Sequence, residues 1–512
     1  MTDIVIIGAG NAGLCAAISA REAGADVTVL EWAEESSYGS DTFFSGGLFR
    51  LAYDSFEDLE KIVGPLGLDG VEGADEHSSY AEADFLSDWG RVTGYRCDLE
   101  LADLVVSRSN ETLTWLSDAG VPFHSPVVVD EKGKARHSRP GWHGGFIEAS
   151  GAGVGLAEAL LKAVGKVGVN LEYGVEAREI EQDPESGRWV VSGRRDGAAL
   201  TFEADAVVIA SGGFQADTEW RTKALGPGWD LAKVRGSRFN TGRGIRMALD
   251  QGAVAYGNWS GCHAVAWSAG SGDAGRADAN HVFERESYPF GITINRDGER
   301  FINEGSDFGA YTYAQYGREI LRQPGQVAWQ LFDHATDSLM TTEYRYKNPE
   351  AARIQTDTLE ALADRLTKQG VDRDRMLQSV HDYNAAIADD VPFSPYVKDG
   401  RRTNGLDIDK TNWASPIQEG PFTAYEVTCG ITFTFGGLKI TTEGEVEAIS
   451  GRPMYGLYAA GEIVGGLFYH NYPGGTGLTA GAVFGKIAGE SAARQAARTK
   501  NETHGQAARR AS

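Results

Sequence analysis

The chain has 512 residues, a length that exceeds one ordinary core and predicts two or three structural units. Its net charge of −24, from 48 basic and 72 acidic side chains, disfavours nucleic acid and anionic membranes as partners. Four widely separated cysteines argue against iron–sulfur, haem-attachment and disulfide frameworks, and no metal site is expected. With neither a leader nor an apolar run of spanning length, we expect a cytoplasmic protein without a membrane segment.

The beginning of the chain predicts a strand–helix–strand unit. Residues 4–7 are a short, continuously apolar run, as expected for a buried parallel strand. A helix is predicted from about Ala12 to Ala23, where Gly24 ends it, and residues 27–30 form the next strand. Such a unit is typical of the opening of a Rossmann-like fold.

The turn between this strand and helix reads Gly8-Ala9-Gly10-Asn11-Ala12-Gly13, a GxGxxG motif. Gly8 allows the tight turn, Gly10 lets backbone N–H groups approach a pyrophosphate, and Gly13 lets the helix pack closely on the sheet. The helix N-terminus adds partial positive charge for the phosphates. Glu31 follows the second strand, where a carboxylate accepts hydrogen bonds from ribose hydroxyls. These features together predict a dinucleotide site.

Two further apolar strands are predicted far along the chain. Residues 206–210 lead into Ser211-Gly212-Gly213, and residues 457–460 lead into Gly461-Glu462. Because the ends of parallel strands gather at one edge of a sheet, where ligands bind, these segments predict a discontinuous cofactor domain. The intervening residues 271–420 contain amphipathic helical stretches and are predicted to form an inserted cap.

The predicted domain organisation therefore has four parts. Residues 1–270 form the first segment of the cofactor domain, and residues 271–420 form the capping and substrate domain. Residues 421–498 form the second segment of the cofactor domain, and residues 499–512 form a polar, flexible tail. Since the chain has one GxGxxG fingerprint, a reductase that holds two dinucleotides is disfavoured.

Four further motifs follow the dinucleotide turn along the chain. Residues 39–47 read GSDTFFSGG, residues 298–304 read GERFINE, residues 459–462 read AAGE, and residues 474–479 read GGTGLT. In the same order, they resemble the GGNSxxSGG, GxRFxNE and ATGE motifs and the closing Gly-rich turn of the fumarate reductase/succinate dehydrogenase flavoprotein family. The resemblance spans nearly the whole chain.

This resemblance implies an α/β fold with a discontinuous, glutathione-reductase-like, Rossmann-like FAD-binding domain and an inserted α+β capping domain. It implies FAD as the cofactor, bound without a covalent link, because Asp41 stands where the family carries its flavin-linking histidine. The predicted cofactor-binding residues are Gly8, Gly10, Asn11, Ala12, Gly13, Glu31, Ser40, Thr42, Ser45, Gly46, Gly47, Ala177, Ala210, Ser211, Gly212, Gly461, Glu462, Gly477, Leu478 and Thr479.

The substrate positions depart from the fumarate reductase pattern. Phe308 stands where the family carries its acid arginine, and residues 432–437, TFTFGG, replace its HHTMGG motif. Tyr472 stands where the family has a second clamp arginine, whereas His263 matches a family histidine. These losses argue against fumarate reduction. Residues 261–264, 304–308, 311–313, 316–318 and 472–475 are instead similar to the FAD-dependent tricarballylate dehydrogenase branch.

The run Tyr472-Pro473-Gly474-Gly475 also resembles a segment of the flavin 3-ketosteroid dehydrogenases. In that family a phenol and a glycine N–H polarise the ketone, and another tyrosine takes the alpha proton. Tyr311 and Tyr313 are the candidates for this base, which would need a lowered pKa, although the two residues could equally pack the cap. The predicted catalytic residues are Tyr472, Tyr311, Tyr313, Gly475 and His263.

These features predict an FAD-dependent dehydrogenase, or desaturase, that removes an alpha proton and a beta hydride from a small ketone or keto acid. Two alternatives stay open, a tricarballylate-type dehydrogenase of polycarboxylates and a flavoprotein subunit that passes electrons to a partner protein. Arg136, His137, Arg139 and His143 lie in one loop that could clamp a carboxylate or be solvated. Without haem or iron–sulfur motifs, the electrons are expected to pass to an external acceptor or to oxygen.

Overall fold

The computed structural model describes residues 2–68, 71–125, 127–130, 132–272, 283–340, 353–388 and 390–511. Its strands are β1 (Ile4–Ile7), β2 (Val27–Leu30), β3 (Leu48–Arg50), β4 (Phe123–His124), β5 (Val127–Val129), β6 (Ala135–His137), β7 (Phe146–Ala149), β8 (Asn170–Glu172), β9 (Glu176–Gln182), β10 (Trp189–Arg195), β11 (Ala198–Ala204), β12 (Ala206–Ile209), β13 (Lys233–Val234), β14 (Ala255–Ser268), β15 (Ile292–Ile294), β16 (Ala328–Phe332), β17 (Arg353–Thr356), β18 (Phe422–Leu438), β19 (Glu445–Glu447) and β20 (Pro453–Ala459). Its α-helices are α1 (Asn11–Glu22), α2 (Asp41–Phe44), α3 (Phe56–Val63), α4 (Glu82–Val92), α5 (Leu99–Ala119), α6 (Ala152–Val167), α7 (Thr218–Leu225), α8 (Arg243–Asp250), α9 (Gly309–Leu321), α10 (Leu359–Thr367), α11 (Arg373–Ala386) and α12 (Thr476–Ala511).

A largely parallel sheet carries the dinucleotide motif. Its strand order is β19-β20-β12-β1-β2-β8, and each pair is parallel except β19 with β20. The strands β20, β12 and β1 are therefore neighbours, although they come from widely separated parts of the chain. The predicted α/β, Rossmann-like fold with a discontinuous cofactor domain is confirmed. Because the three strands are parallel, the glycine-rich segments that follow them meet at one edge.

The turn after β1 requires glycine at two positions. Gly8 has φ of +106°, and a Cβ atom there would lie 2.5 Å from the carbonyl oxygen of Ala210, at the end of β12. A Cβ atom at Gly13 would lie 2.0 Å from the carbonyl oxygen of Gly8. Any larger residue at either position would separate the turn from the neighbouring strand or lift α1 from the sheet.

The last helix, α12, packs against the first helix, α1. Glycines recur at every fourth position of α12, and a Cβ atom at Gly485 would lie 2.4 Å from the backbone oxygen of Ala12. A Cβ atom at Gly489 would lie 2.3 Å from the backbone oxygen of Ala16. The two helix backbones thus approach each other more closely than side chains normally allow. This contact joins the two ends of the chain in one domain.

A second sheet forms the cap over the edge where the glycine-rich turns meet. Its order is β13-β18-β16-β15, and β14 and β17 also pair with β18. The predicted amphipathic helices are present as α10 and α11, whose Leu362, Leu366, Met376 and Val380 belong to the apolar core beneath this sheet. The predicted cap bounds of 271–420 leave out β13, β14 and β18, which belong to the same sheet.

Three smaller antiparallel sheets complete the molecule, with the orders β11-β10-β9, β3-β7-β4 and β5-β6. The helix α12 continues through Ala511, so it includes residues 499–511, for which the sequence predicts a flexible tail. Among the described residues, no helix combines the length and the apolar character that a membrane crossing requires.

The contact between α1 and α12 can be tested at Gly485. We expect Gly485→Ala to lower the free energy of unfolding by about 1–3 kcal/mol, because the new methyl group meets backbone atoms of α1. Gly165→Ala is the matched control, since Gly165 lies in α6 with no neighbouring atom within 4 Å of the new Cβ. There the better helix propensity of alanine should stabilise by up to about 1 kcal/mol. Thermal unfolding measures both, and equal gains at the two positions would contradict the close contact.

Candidate active site

One continuous cavity lies between the glycine-rich edge of the parallel sheet and the cap sheet. It brings together most of the residues predicted from the sequence: Gly8, Gly10, Asn11, Ala12, Glu31, Ser40, Thr42, Ser45, Gly46, Ala177, Ala210, Ser211, Gly212, His263, Tyr313, Gly461, Glu462, Tyr472, Gly475, Gly477 and Leu478. Four predicted residues do not line it, namely Gly13, Gly47, Tyr311 and Thr479.

The three predicted cofactor residues outside the cavity lining have packing or hydrogen-bonding roles instead. Gly13 lets α1 approach the sheet, as described above, and a Cβ atom at Gly47 would lie 2.7 Å from the backbone of Ala152, at the start of α6. The Thr479 hydroxyl donates to the backbone oxygen of Arg50 at 2.7 Å and accepts from its backbone N–H at 3.1 Å. Thr479 therefore fixes β3 rather than contacting the cavity.

The nucleotide end of the cavity contains a buried carboxylate, Glu31. One of its oxygens accepts from the backbone N–H of Ala9, and the other from that of Ala33, both at 2.9 Å. Burial raises the pKa of Glu31. Nearby, the Ser211 hydroxyl lines the cavity and has no hydrogen-bond partner among the described residues. A carboxylate with remaining lone pairs, an unsatisfied hydroxyl and a glycine turn fit the ribose and phosphates of a dinucleotide such as FAD.

Asn11 connects three of the motifs that line the cavity. Its backbone N–H donates to the Thr42 hydroxyl at 2.8 Å, and its side-chain amide donates to the backbone oxygen of Leu478 at 2.8 Å. The dinucleotide turn, the 39–47 segment and the closing Gly-rich turn are therefore held together by one side chain and its backbone. This arrangement places residues from both ends of the chain along the same side of the cavity.

Asp41 and Glu462, here called the carboxylate pair, share the same two amide donors. Gln215 Nε2 donates to Asp41 at 2.5 Å and to Glu462 at 3.2 Å, and Asn240 Nδ2 donates to them at 2.9 Å and 3.4 Å. Burial raises the pKa of Asp41 to about 7, against the opposing charge of Arg235. Burial and the charge of Asp41 raise the pKa of Glu462 to about 8. Near neutral pH the carboxylate pair therefore retains bound protons.

Two tyrosines and a histidine cluster at the opposite end of the cavity. The Tyr313 and Tyr472 hydroxyls are hydrogen-bonded to each other. The His263 ring contacts both phenol rings edge-on, at centroid distances of 4.9 Å and 4.8 Å, and stacks on Phe433 at 5.1 Å. Burial lowers the pKa of His263 well below its usual value, and neither ring nitrogen has a partner among the described residues. His263 is therefore a neutral imidazole that can still bind a ligand.

Gly475, three residues after Tyr472, also lines the cavity, and its backbone N–H acts electrostatically on the Tyr472 hydroxyl. Burial raises the pKa of Tyr472 to about 12, and the hydrogen bond shared with Tyr313 partly opposes this rise. Burial also raises the pKa of Tyr313 well above its usual value. Both phenols are therefore protonated donors near neutral pH. The expectation of a tyrosine base with a lowered pKa is not met by either residue.

The structure does not support the catalytic role predicted for Tyr311. Its hydroxyl donates to Asp88 and accepts from Arg50 Nη1 at 3.2 Å, away from the cavity. Burial raises the pKa of Tyr311, so it is also unsuited to accept a proton. Tyr311 and Tyr313 are two positions apart on α9, so their side chains project about 200° apart around the helix. The two tyrosines consequently belong to different sites.

Each arginine that lines the cavity is paired with a carboxylate. The pairs are Arg139 with Glu148, Arg235 with Glu284, and Arg243 with Glu176. Of the basic loop predicted from the sequence, Arg139 lines the cavity, whereas Arg136, His137 and His143 do not. Burial lowers the pKa of His137 to about 3, so it carries no charge near neutral pH. A carboxylate substrate would have to compete with these internal acids for the arginines.

Aromatic rings form the remaining walls near the phenols. The Trp142 and Tyr313 ring centroids lie 5.5 Å apart, and those of Phe468 and Tyr472 lie 5.3 Å apart. Phe433 completes this apolar surface beside His263. Flat apolar walls with a few hydrogen-bond donors at one end suit an uncharged carbon skeleton with one polar group.

Sequence reasoning did not identify four residues that shape the cavity, Gln215, Asn240, Arg235 and Glu284. Gln215 follows the glycines after β12, and its position after a parallel strand could have identified it as a candidate residue of the site. Asn240, Arg235 and Glu284 lie on irregular segments outside any recognised motif. Their position depends on contacts with residues that are distant in the sequence.

The role of Glu31 can be tested by substitution. We expect Glu31→Ala to weaken FAD binding by about 1–3 kcal/mol, because the ribose hydroxyls and the Ala9 N–H lose their acceptor. Glu35→Ala, at an exposed position of the following segment, is the control and should leave affinity unchanged. Equilibrium titration of FAD into deflavinated protein measures the effect. Equal affinities for the two variants would exclude Glu31 from the cofactor site.

The carboxylate pair predicts a pH dependence of stability. Since its pKa values are raised above those of unfolded carboxyls, the folded protein binds more protons, and stability falls as the pH rises from the range in which unfolded carboxyls titrate up to about 7 to 8. Each proton contributes a slope of about 1.4 kcal/mol per pH unit. We expect Asp41→Asn to flatten this slope in chemical unfolding from pH 5 to pH 9. The control is Asp407→Asn, at an exposed site, which should show the same slope as the unaltered chain. The prediction is refuted if Asp41→Asn shows that slope as well.

Comparison with known proteins agrees with this geometry. Residues 3–478 match the family described as FAD binding domain. A probable fumarate reductase of Shewanella frigidimarina is 26% identical over 97% of this chain and 75% of its own length. The vinyl phenol reductase of Lactiplantibacillus plantarum is 26% identical over 97% of this chain and 96% of its own length.

Two solved structures share the fold. The open conformation of a flavocytochrome c3 fumarate reductase superposes with a TM-score of 0.71 at 24% identity, covering 97% of this chain and 78% of that one. The 3-ketosteroid-Δ4-(5α)-dehydrogenase of Rhodococcus jostii superposes with a TM-score of 0.67 at 24% identity, covering 96% of both chains. Because the family match spans most of the chain, this protein belongs to the FAD binding domain family together with the fumarate reductase flavoproteins, and it is an FAD-dependent oxidoreductase.

Proposed function

We propose that this oxidoreductase is a dehydrogenase that forms a carbon–carbon double bond beside the carbonyl group of a small ketone or keto acid. The observation that carries this proposal is that Tyr472, whose phenol stays protonated, and Gly475, which offers a backbone N–H, line the same cavity three residues apart. Two such donors form an oxyanion hole for an enolate oxygen. The ketosteroid dehydrogenase with the same fold is named for a ketone substrate.

The charges of the cavity also support an uncharged or singly charged substrate. A polycarboxylate needs several unpaired cations, and each arginine that lines the cavity already has a carboxylate partner. The relative named vinyl phenol reductase is likewise named for a phenol, which has no carboxylate group. Tricarballylate-type dehydrogenation would require Arg139 or Arg235 to exchange its internal acid for the substrate.

The residues would act on the substrate in three ways. The Tyr472 hydroxyl and the Gly475 N–H hold the carbonyl oxygen and stabilise its charge as the alpha proton leaves. Tyr313 orients the Tyr472 hydroxyl through their hydrogen bond, and the aromatic walls exclude water. FAD, when bound, supplies the acceptor for the hydride that leaves the beta carbon, so that a double bond remains.

The alpha proton also needs an acceptor. Burial keeps both phenols protonated, so neither can accept this proton. We propose that Glu286, which also lines the cavity, is the acceptor. Burial is the main cause of the raised pKa of Tyr313 and of Tyr472, and the negative charge of Glu286 adds to the rise at both phenols, which supports this choice. A carboxylate is a suitable general base for a proton acidified by the adjacent oxyanion hole.

Three features of the sequence prediction stay proposals. We propose that FAD is bound without a covalent link, since Asp41 presents a carboxylate that is already bonded to Gln215 and Asn240. We propose that the electrons leave for an external acceptor or for oxygen. A cytoplasmic location remains a prediction from the cysteine content.

The role of Tyr472 can be tested with a conservative variant. Tyr472→Phe keeps the ring and its packing but removes the donor, which matters most in the transition state. We expect the rate of flavin reduction by a reactive ketone to fall roughly 10²–10³-fold, with little change in substrate affinity or FAD content. Anaerobic stopped-flow measurement of flavin bleaching gives the rate.

The matched control is Tyr383→Phe, which removes a buried phenol hydroxyl that donates to the Ser415 backbone oxygen in the cap core. This variant should reduce flavin at the unaltered rate. A native rate for Tyr472→Phe would remove the main support for a ketone substrate. Bleaching by polycarboxylates and not by ketones would establish the tricarballylate-type alternative instead.

A further inference from the structure

Behind the proposed oxyanion hole lies a fully buried arginine, Arg50, at the end of β3. Its Nε donates to the backbone oxygen of Gly474 at 2.9 Å. That carbonyl belongs to the same peptide unit as the N–H of Gly475, a residue that lines the cavity beside Tyr472. A guanidinium bonded to one end of a peptide unit therefore faces a cavity donor at its other end.

Hydrogen bonds at the two ends of a peptide unit strengthen each other. A positive donor on the carbonyl oxygen draws electron density from the amide nitrogen, so the N–H becomes a stronger donor. The effect is largest where water is excluded, and both Arg50 and Tyr472 are buried. The Gly475 N–H should consequently bind an oxygen that gains negative charge more strongly than an unsupported amide would.

The surroundings of Arg50 keep its charge in place. Its Nη1 donates to the Tyr80 hydroxyl at 2.8 Å and to the Tyr311 hydroxyl at 3.2 Å, and lies 3.9 Å from an Asp88 oxygen. Its guanidinium also packs over the Phe146 ring at 4.2 Å. Two phenols, one carboxylate and one aromatic face therefore offset part of the cost of burying this cation, while its Nη2 has no hydrogen-bond partner among the described residues.

The backbone around Arg50 is shaped to fit it. Gly144 has φ of +119°, and a Cβ atom there would lie 2.2 Å from Arg50 Nη1. The Thr479 hydroxyl bonds both the N–H and the carbonyl of Arg50, which connects β3 to the first turn of α12. The guanidinium is thus fixed against the Gly474 carbonyl by contacts on both its side chain and its backbone.

We propose that Arg50 is a positioning residue that polarises the Gly474–Gly475 peptide unit and so strengthens the Gly475 N–H as a donor to the enolate oxygen of the substrate. This inference rests on the proposed function, because it assigns a purpose to the donor of the same oxyanion hole. It also gives Tyr311 a role, since that phenol is one of the partners that hold Arg50 in place.

A test needs a ligand whose charge reports the strength of the donor. The probe is 4-fluorophenol, because its phenolate places a negative oxygen on a flat ring and its ¹⁹F signal reports ionisation without interference from flavin absorbance. The pKa of the phenol bound to the FAD-loaded protein is measured by ¹⁹F NMR titration. A role confined to packing would change stability but would not change this pKa.

We expect the unaltered protein to lower the pKa of the bound phenol below its value in water. Arg50→Lys should raise it again by about one unit, a tenfold loss of preference for the phenolate, because lysine lacks the fixed fork that reaches the Gly474 oxygen. Flavin reduction by a reactive ketone should fall about 10-fold with little change in KM, since the donor is weakened but not removed.

The matched control is Arg221→Lys. Arg221 is also buried, donates to backbone oxygens such as that of Trp229 at 3.0 Å, and does not line the cavity. Its substitution should change stability and leave the pKa of the bound phenol unchanged. If Arg50→Lys fails to retain FAD, Tyr311→Phe is the second variant to be measured, because it removes one partner of Arg50. A raised pKa of the bound phenol in that variant supports the proposal. An unchanged pKa overturns it.

The outcomes separate this inference from the proposed function. If the unaltered protein and Tyr472→Phe bind the phenol with the same unshifted pKa, the oxyanion hole itself is absent and both proposals fail. If Tyr472→Phe abolishes the shift while Arg50→Lys retains it in full, the role of Arg50 is refuted and the proposed function stands.

Discussion

The close contact between the first and last helices is the constraint on which the rest of this structure depends. Glycines along α12 let its backbone meet that of α1, so that the two ends of the chain form one domain. The same approach lets Asn11, at the start of α1, bond the backbone of Leu478 in the closing turn. This contact also positions the Gly474–Gly475 turn of the proposed oxyanion hole, because that turn directly precedes α12.

The cavity is notable for how little net charge its buried groups carry. The carboxylate pair of Asp41 and Glu462 retains bound protons near neutral pH, and His263 is a neutral imidazole. The arginines that line the cavity are paired with acids inside the protein. A buried unpaired charge would be costly, and the structure avoids it by pairing or by a shifted pKa. This is why the proposed recognition of the substrate relies on oriented hydrogen-bond donors and aromatic surfaces rather than on ion pairs.

The residues of the cavity differ from the family pattern at its substrate end more than at its cofactor end. The chain shares its FAD-binding architecture with a flavocytochrome fumarate reductase, but phenylalanine and tyrosine stand where the family resemblance would place histidine and arginine. These replacements fall outside the flavin-binding turns, whose motifs are kept. The phenol end of the cavity and the buried Arg50 behind it form a unit that involves β3, α9 and the turn before α12. Substrate preference can therefore change without a change in how the cofactor is held.

The dinucleotide fold, the discontinuous cofactor domain and most residues that line the cleft could be predicted from the amino-acid sequence. Those features follow from local patterns, since a GxGxxG turn and the end of an apolar strand have the same geometry wherever they occur. Three other features were visible only in the folded chain. Tyr313 lines the cavity whereas Tyr311 bonds Arg50. The arginines of the cavity are paired with acids, and Asp41 and Glu462 share their amide donors. Each of these depends on a partner that is distant in the sequence. The charge and direction of a buried side chain are set by what packs against it, and no local pattern specifies that neighbour.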